Sequence, residues 1–272
     1  MSDPRSSGFT EVSVPEAYDR FMSRQLFEPW ARELIAAASA RNVGSVLDVA
    51  TGPGTVARLI AAEVGEAGRV VAADISPAML GIAAAKAPEP GSASIEYVEC
   101  SATTLAAADA SFQLVLCHQG LQFFPDRIAA VHEMHRVLAP GGLAVASSWA
   151  AERPLGLFGP MVDSLREAGI PEPYPRAFDA SSYALTVLDL RELFEAAGFR
   201  DVTVQTVELE CVWETSRDAV ATIAGTPYGP LVAALPDAEQ RRIYATLSDR
   251  LGGSQDGKLT IKTASNIARG VR

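Results

Sequence analysis

Val46-Leu47-Asp48-Val49-Ala50-Thr51-Gly52-Pro53-Gly54 is an apolar run that carries an acid near its end and breaks into two glycines one residue apart. Twenty residues past Gly54 a second apolar run, Val70-Val71-Ala72-Ala73, ends in another acid, Asp74. A strand running into a glycine turn, a helix opened by that turn and a next strand ending in a carboxylate form the layout of a nucleoside-binding α/β domain, with the second acid placed to meet a ribose.

The same rhythm extends on both sides. Strand one covers about 46–49 and is apolar at nearly every position, as in a parallel strand covered on both faces. A helix follows over 54–64, and strand two spans 69–73. Ser76-Pro77 reads as an N-cap with proline at the first helical position, opening a helix through Lys86. Strands three and four fall at 95–98 and 112–117. A helix over 126–138 stops at Pro140-Gly141-Gly142, and strand five covers 143–148. This alternation predicts a doubly wound parallel sheet. Upstream, residues 1–13 read as a loose tail. Tyr18, Phe21, Met22, Phe27, Trp30, Leu34 and Ile35 give 14–40 a helical spacing, split by Pro29. After Trp149 the rhythm breaks, and 151–186, rich in Pro, Gly and aromatics, reads as an insertion. A helix over 188–197 closed by Gly198 follows, then a long strand over 202–213. Residues 215–252 are amphipathic and helical, with a loop at 225–230, and a final strand covers 258–268. The expected organisation is a single domain over 1–272: a helical cap (1–42), a cofactor-binding core (43–150) and substrate-cap insertions (151–187 and 214–257).

The chain has 272 residues, enough for one large α/β domain with insertions, and 48% hydrophobic residues fill its core. Net charge is −10, and Lys86, Lys258 and Lys262 are the only lysines. No basic patch exists to neutralise phosphates, so neither a nucleic acid nor an anionic membrane is the expected partner. Cys100, Cys117 and Cys211 are odd in number, lie in apolar runs and form no CxxC pair, so they read as small buried hydrophobes in a reducing compartment. The polar start lacks an apolar h-region and no stretch is long enough to span a bilayer, so a soluble cytoplasmic protein is expected.

Gly52-Pro53-Gly54-Thr55-Val56-Ala57 matches the G-x-G-x-x-G/A of dinucleotide binders, a weak signal alone. Asp48 discriminates. A pyrophosphate on the turn would be repelled by a carboxylate beside it. S-adenosylmethionine has no phosphate and carries a positive sulfonium and a positive amino group, which an acid at the end of strand one suits.

Here the chain resembles the class I S-adenosylmethionine-dependent methyltransferases. Residues 46–54 look like the family's first motif and Asp74-Ile75-Ser76-Pro77-Ala78-Met79-Leu80 like its second-strand motif. Ser111-Phe112-Gln113-Leu114-Val115-Leu116-Cys117 resembles the fourth-strand segment, Val137-Leu138-Ala139-Pro140-Gly141-Gly142 the turn before strand five, and Phe194-Glu195-Ala196-Ala197-Gly198-Phe199 the late helix end. These cover roughly 44–210 in order. Cys117-His118-Gln119-Gly120-Leu121-Gln122-Phe123-Phe124-Pro125-Asp126 is similar to small-molecule enzymes of the quinone- and secondary-metabolite-modifying type. The resemblance implies a Rossmann-like sheet of seven strands with the last antiparallel. It also implies roles: Gly52 and Gly54 admit the methionine part, Asp74 accepts both ribose hydroxyls, Ile75 and Met79 line the adenine, and Ala102 offers it an amide. Ala50 stands where a glycine is frequent. Ser101 replaces an acid that commonly meets the adenine amino group, exchanging a charge-assisted contact for a neutral one. Gln113 replaces a frequent Asp.

Methyl transfer asks for alignment and exclusion of water more than for acid–base chemistry. His118 follows strand four, where open sheets bind ligands, and a free imidazole with a pKa of about 6.5 suits a base; a wall residue beside the cofactor is the alternative. Tyr18 is a candidate to close over the sulfonium through its ring or hydroxyl, with plain helix packing as the alternative. His132 and His135 lie one residue short of the zinc-protease spacing and read as a helix face, not a metal site. Glu11 and Glu16 read as solvated, and Glu208 and Glu210 as the wet face of a strand. Trp149, Phe158, Tyr174, Phe178 and Tyr183 are candidates for an apolar substrate lid, with ordinary packing as the alternative. The expected activity is methyl transfer to an O, N or C atom of a small apolar or aromatic metabolite. The alternatives are a cofactor-binding protein of the same fold that does not methylate, such as a cyclase or a binding module, and an NAD-dependent oxidoreductase, which Asp48 disfavours.

Overall fold

The structure is a computed structural model that describes residues 14–39, 43–173, 184–252 and 257–272. The chain forms two compact units, each assembled from separate segments. The larger comprises Glu28–Arg153, Phe178–Glu208 and Ala264–Arg272 and holds the sheet. The strands of the sheet are β1 (Ser45–Val49), β2 (Arg69–Asp74), β3 (Ser94–Glu99), β4 (Phe112–His118), β5 (Leu138–Trp149), β6 (Arg200–Trp213) and β7 (Leu259–Val271), in the order β3-β2-β1-β4-β5-β7-β6; residues 209–213 of β6 and 259–263 of β7 are counted with the second unit. β1 to β5 are parallel and β7 runs antiparallel to β5. Strand order reverses between β1 and β4, which places the crevice of an open sheet at their carboxyl ends.

Side chains alternate strictly between two cores. Leu47, Val71, Val115 and Ala146 face one core, with Val131 and Met134 of α5 (Arg127–Val137) and Leu190 and Phe194 of α7 (Val187–Ala196). Val46, Val70, Leu116 and Val145 face the other, with Leu34 of α2 (Glu28–Ala38) and Ile60 of α3 (Thr55–Val64). The near-continuous apolar strands thus bury both faces, as a parallel sheet under two helix layers requires. α4 (Pro77–Ala85) opens as expected, Ser76 Oγ accepting the Met79 amide at 3.3 Å.

Pro140-Gly141-Gly142, expected to be a turn before strand five, lies inside β5. The register with β4 slips between Phe112↔Leu138 and Leu114↔Leu143, so the segment is an irregular bulge. Gly141 takes the left-handed φ of 78°, and backbone bonds to Arg272 at 3.1 and 3.0 Å seal the bulge from the end of β7.

The second unit comprises Met1–Phe27, Pro154–Ala177 and Leu209–Thr263. It contains α1 (Val14–Tyr18), a π-helical stretch (Asp19–Phe27), α6 (Phe158–Glu167), α8 (Ser216–Ala221), α9 (Gly229–Ala233) and α10 (Asp237–Arg250). α6 was not anticipated in what read as an irregular insertion; Met161 and Leu165 of α6 and Ile243 and Leu247 of α10 are buried where these two helices pack. The Pro29 split also falls differently. No break falls at Pro29: the π-helical turns end at Phe27 and α2 begins at Glu28, so Pro29, with no N–H to give the preceding turn, stands where π-helical geometry changes to α.

Candidate functional site

The glycine turn at the end of β1 is built from left-handed residues: Ala50 (φ 57°), Gly52 (φ 54°) and Gly54 (φ 81°). The two glycines differ in purpose. A Cβ on Gly52 would meet nothing within 4 Å, so its backbone faces open space; one on Gly54 would lie 3.0 Å from Ala83 Cβ of α4. Gly52 leaves room for a ligand, and Gly54 lets α4 approach.

Asp74, at the end of β2, accepts the Gly52 amide at 2.8 Å on Oδ2 and the Ser76 amide at 2.9 Å on Oδ1. Each carboxylate oxygen keeps a lone pair, so the group can still accept two hydroxyls. Beside it Ile75 is 71% exposed, an apolar surface suited to a flat heterocycle. Met79 is half-buried one helical turn on. Ser101 and Ala102 are half-buried in the loop after β3. Ser101 Oγ is engaged within that loop, 2.9 Å from Thr103 Oγ1 and accepting the Thr103 amide at 3.2 Å. The loop hangs on α5: Arg136 donates to the carbonyls of Ala107 (2.9 Å) and Leu105 (3.2 Å), and Glu133 accepts the Leu105 amide at 2.8 Å.

Asp48 is fully buried on the α2/α3 face. Oδ2 accepts the Thr51 hydroxyl at 2.6 Å, while Oδ1 is buried without a hydrogen-bond partner. Burial pushes its pKa up to about 7; the Thr51 hydroxyl and the Ala57 amide pull it back, and the charge of Asp74 adds to the rise. An open glycine backbone, a clamp with spare acceptors and a buried half-satisfied acid fit a ligand carrying a diol and a positive charge.

β4 exits beside this turn. A Cβ on Gly120 would lie 2.9 Å from Ala50 Cβ and 3.1 Å from Cys117 Sγ, so glycine alone lets the two strand ends close up. The Cys117 thiol is pushed up to about 12 by burial first and by the charge of Asp48 second, which leaves it inert. His118 is half-buried, and its Nδ1 lies 2.9 Å from Ser147 Oγ. Gln119 holds a left-handed φ of 52° and is buried with Gln122, Ser147, Ser148, Ser265 and Asn266. Sequence reasoning missed this polar group. Its one readable signal is Ser147-Ser148 and Ser265-Asn266 interrupting apolar strands.

The remaining candidates are placed as follows. Tyr18 belongs to the smaller unit, where its ring stacks on Phe27 at 4.8 Å. His135 packs edge-on against Phe199 at 4.9 Å. Trp149 meets Trp30 of α2 edge-on at 6.0 Å, and Phe158 is half-buried in α6. Glu16 is exposed on α1, and Glu208 and Glu210 are exposed on β6. Cys100 is half-buried, unlike the fully buried Cys117 and Cys211. Tyr174, Phe178, Tyr183 and Glu11 lie outside the described residues. Among the described residues, no helix is long and apolar enough to cross a membrane.

A methyltransferase domain family model matches residues 46–142. The ubiquinone/menaquinone biosynthesis C-methyltransferase UbiE of Xylella fastidiosa is 33% identical over 212 residues, 71% of this chain and 83% of that one. The protein of the same name from Xanthomonas campestris is 38% identical over 137 residues, so the match spans 49% of this chain and about half, 54%, of that relative. Among solved structures, an S-adenosylmethionine-dependent methyltransferase from Aquifex aeolicus superposes with a TM-score of 0.54 at 18% identity, over 73% of this chain and 94% of that one. The [4+2]-cyclase SpnF superposes with a TM-score of 0.59 at 18% identity, over 91% of this chain and 81% of that one. At such identities both likenesses speak to the fold alone.

Proposed function

Since the chain belongs to the class I S-adenosylmethionine-dependent methyltransferases, we propose that it methylates a ring carbon of a small quinone-type aromatic metabolite in its reduced, quinol form. The observation that carries this reading is the 33% identity to a quinone C-methyltransferase across 71% of the chain. The fold does not separate methyl transfer from cyclisation, since a cyclase shares it; family membership favours methyl transfer. The buried acid beside the glycine turn weighs against a dinucleotide, whose pyrophosphate it would repel.

S-adenosylmethionine, when bound, would supply an electrophilic methyl group for the ring carbon, with sulfur keeping the bonding pair and the displaced ring proton going to solvent. The chain's own residues bind and align. Asp74 takes the ribose hydroxyls while its bonds to the Gly52 and Ser76 amides hold the glycine turn in register with α4. Gly52 and Gly54 shape the backbone for the methionine part, with Ala50 in place of the frequent glycine. Ile75 and Met79 flank the adenine, and Ser101 and Ala102 meet its edge from a loop that Arg136 and Glu133 hold in place. Asp48 contributes negative potential near the sulfonium. Proximity is the main catalytic lever.

Two measurements test this. Calorimetry is expected to find S-adenosylhomocysteine binding and no NAD binding. Incubation with methyl-deuterated cofactor and 1,4-naphthohydroquinone, read by mass spectrometry, is expected to place one labelled methyl on carbon. A labelled O- or N-methyl product from a panel of phenols and amines, with none on carbon, would refute the carbon assignment.

A further inference from the structure

Residues 100–111 join β3 to β4 and belong to neither a helix nor a named strand. They leave β3 beside the ribose-facing acid: the Cys100 amide donates to the Asp74 carbonyl at 3.1 Å, and Ser101 and Ala102 follow at once. Ser101 to Thr104 form a tight turn. The Thr104 amide donates to the Ser101 carbonyl at 3.1 Å, and Ser101 Oγ accepts the Thr103 amide at 3.2 Å. The Ala102 amide takes part in neither bond. A connection without a ladder or helix of its own takes its shape from whatever holds it.

Arg136 of α5 does most of the holding. A guanidinium has five N–H donors in a fixed planar fork, and here all five are used. Nε and Nη2 donate to the two Glu133 carboxylate oxygens at 2.6 and 2.8 Å. Nη2 also reaches the Leu105 carbonyl at 3.2 Å, and Nη1 reaches the Ala107 carbonyl at 2.9 Å and the Asp109 carboxylate at 2.6 Å. Glu133 in turn accepts the Leu105 amide at 2.8 Å. The bond from Arg136 holds the Glu133 carboxyl below the ordinary range, so the pair stays ionised and its bonds charge-assisted. The Arg136 and Val137 carbonyls then accept the Ala110 and Ser111 amides at 3.1 and 2.8 Å. One helical turn thus fixes the connection from Leu105 onward, while Asp74 fixes its start. Residues 101–104 are suspended between these two anchors.

We propose that Arg136 is a positioning residue for the cofactor's base: by fixing residues 101–104 through Leu105, it sets the discrimination between adenine and its deaminated counterpart, hypoxanthine. This rests on the cofactor reading above, in which Ser101 and Ala102 meet the adenine edge. Adenine presents an amino group that donates and, beside it, a bare ring nitrogen that accepts. Hypoxanthine reverses both, with a carbonyl and a protonated nitrogen. A hydroxyl can rotate to donate or accept, so Ser101 Oγ alone separates the two bases poorly. A backbone amide can only donate. Held against the ring nitrogen, the Ala102 amide pairs with adenine and meets a second donor in hypoxanthine, where it is left unpaired. Selectivity therefore lies in where the backbone is held, and Arg136 holds it.

The test is calorimetry of the full chain with S-adenosylhomocysteine and with S-inosylhomocysteine, which differs from it only in the base. The native chain is expected to prefer the first by about thirtyfold or more. Arg136→Lys keeps the charge but offers one nitrogen in place of a fork, and is expected to cut the preference to about threefold, chiefly by weakening S-adenosylhomocysteine. Arg136→Gln is expected to do the same. Asp74→Ala, which removes the ribose contact, is expected to weaken both ligands alike and leave the ratio unchanged. Both ligands bind the same folded chain, so a loss of stability lowers both affinities equally and cancels in the ratio. A native chain indifferent to the base, or Arg136 variants that weaken both ligands equally, overturns the proposal. A native chain that binds neither ligand overturns the cofactor reading itself, and this inference falls with it.

Discussion

Asp48 stores a pH-dependent cost in the fold. Burial pushes its carboxyl up from the ordinary 3.8 to about 7 in the folded chain. The folded state therefore holds a proton that the unfolded state releases, and stability falls as pH rises through that window. Asp48→Asn is expected to raise Tm at pH 8, with the gain vanishing toward pH 4. About three pKa units at roughly 1.4 kcal/mol each bound the gain at a few kcal/mol. The bound cation reverses the preference: binding S-adenosylmethionine is expected to expel a proton near pH 7 more fully than binding neutral S-adenosylhomocysteine, a difference read by calorimetry in buffers of unlike ionisation enthalpy. Asp74→Ala is expected to weaken S-adenosylhomocysteine by roughly 30- to 100-fold, the worth of two charge-assisted bonds to hydroxyls. Both acids were legible in sequence because each ends an apolar run. Ser147 was not, since a small polar residue in a buried strand does not announce its neighbour.

The glycines separate binding from packing. Gly52→Ala places a methyl in open space on a left-handed backbone, so its effect is expected mainly in cofactor affinity. Gly120→Ala drives a methyl into Ala50 and Cys117 at 2.9 and 3.1 Å, so it is expected to cost about 1–3 kcal/mol of stability. Paired denaturation and binding curves distinguish the two. β1 to β4 and α2 to α5 were legible because parallel strands and amphipathic helices carry their periods locally. The bulge in β5 was not, because Pro140-Gly141-Gly142 has the composition of a turn and becomes strand only through bonds to Arg272, far away in sequence. α6 was hidden for a similar reason: Gly159 and Pro160 open it, and its apolar face becomes meaningful only against α10.

Each compact unit draws on segments far apart in the chain, and no local signal joins residues 14–27 to 209–263. Sequence periodicity therefore named most of the pieces of the sheet unit without naming the partition. The last residue ties several of them together. Arg272 binds the bulge through its backbone, reaches the carbonyls of Arg136 and Leu138 with its guanidinium, and accepts Arg200 at 2.8 Å. Removing Val271 and Arg272 is expected to cost about 3 kcal/mol or more, at roughly 1 kcal/mol net per lost bond, measurable by urea denaturation.

β7 is the latest strand in the chain, yet it lies between β5 and β6. While the nascent polypeptide is still emerging from the ribosome, β5 has no neighbour on that side and β6 has nothing to pair with. Until residue 271 clears the exit tunnel, two unsatisfied backbone edges stay open to any passing strand. Chaperone demand in the cell should therefore last until β7 has emerged, after the cofactor half of the sheet has already closed.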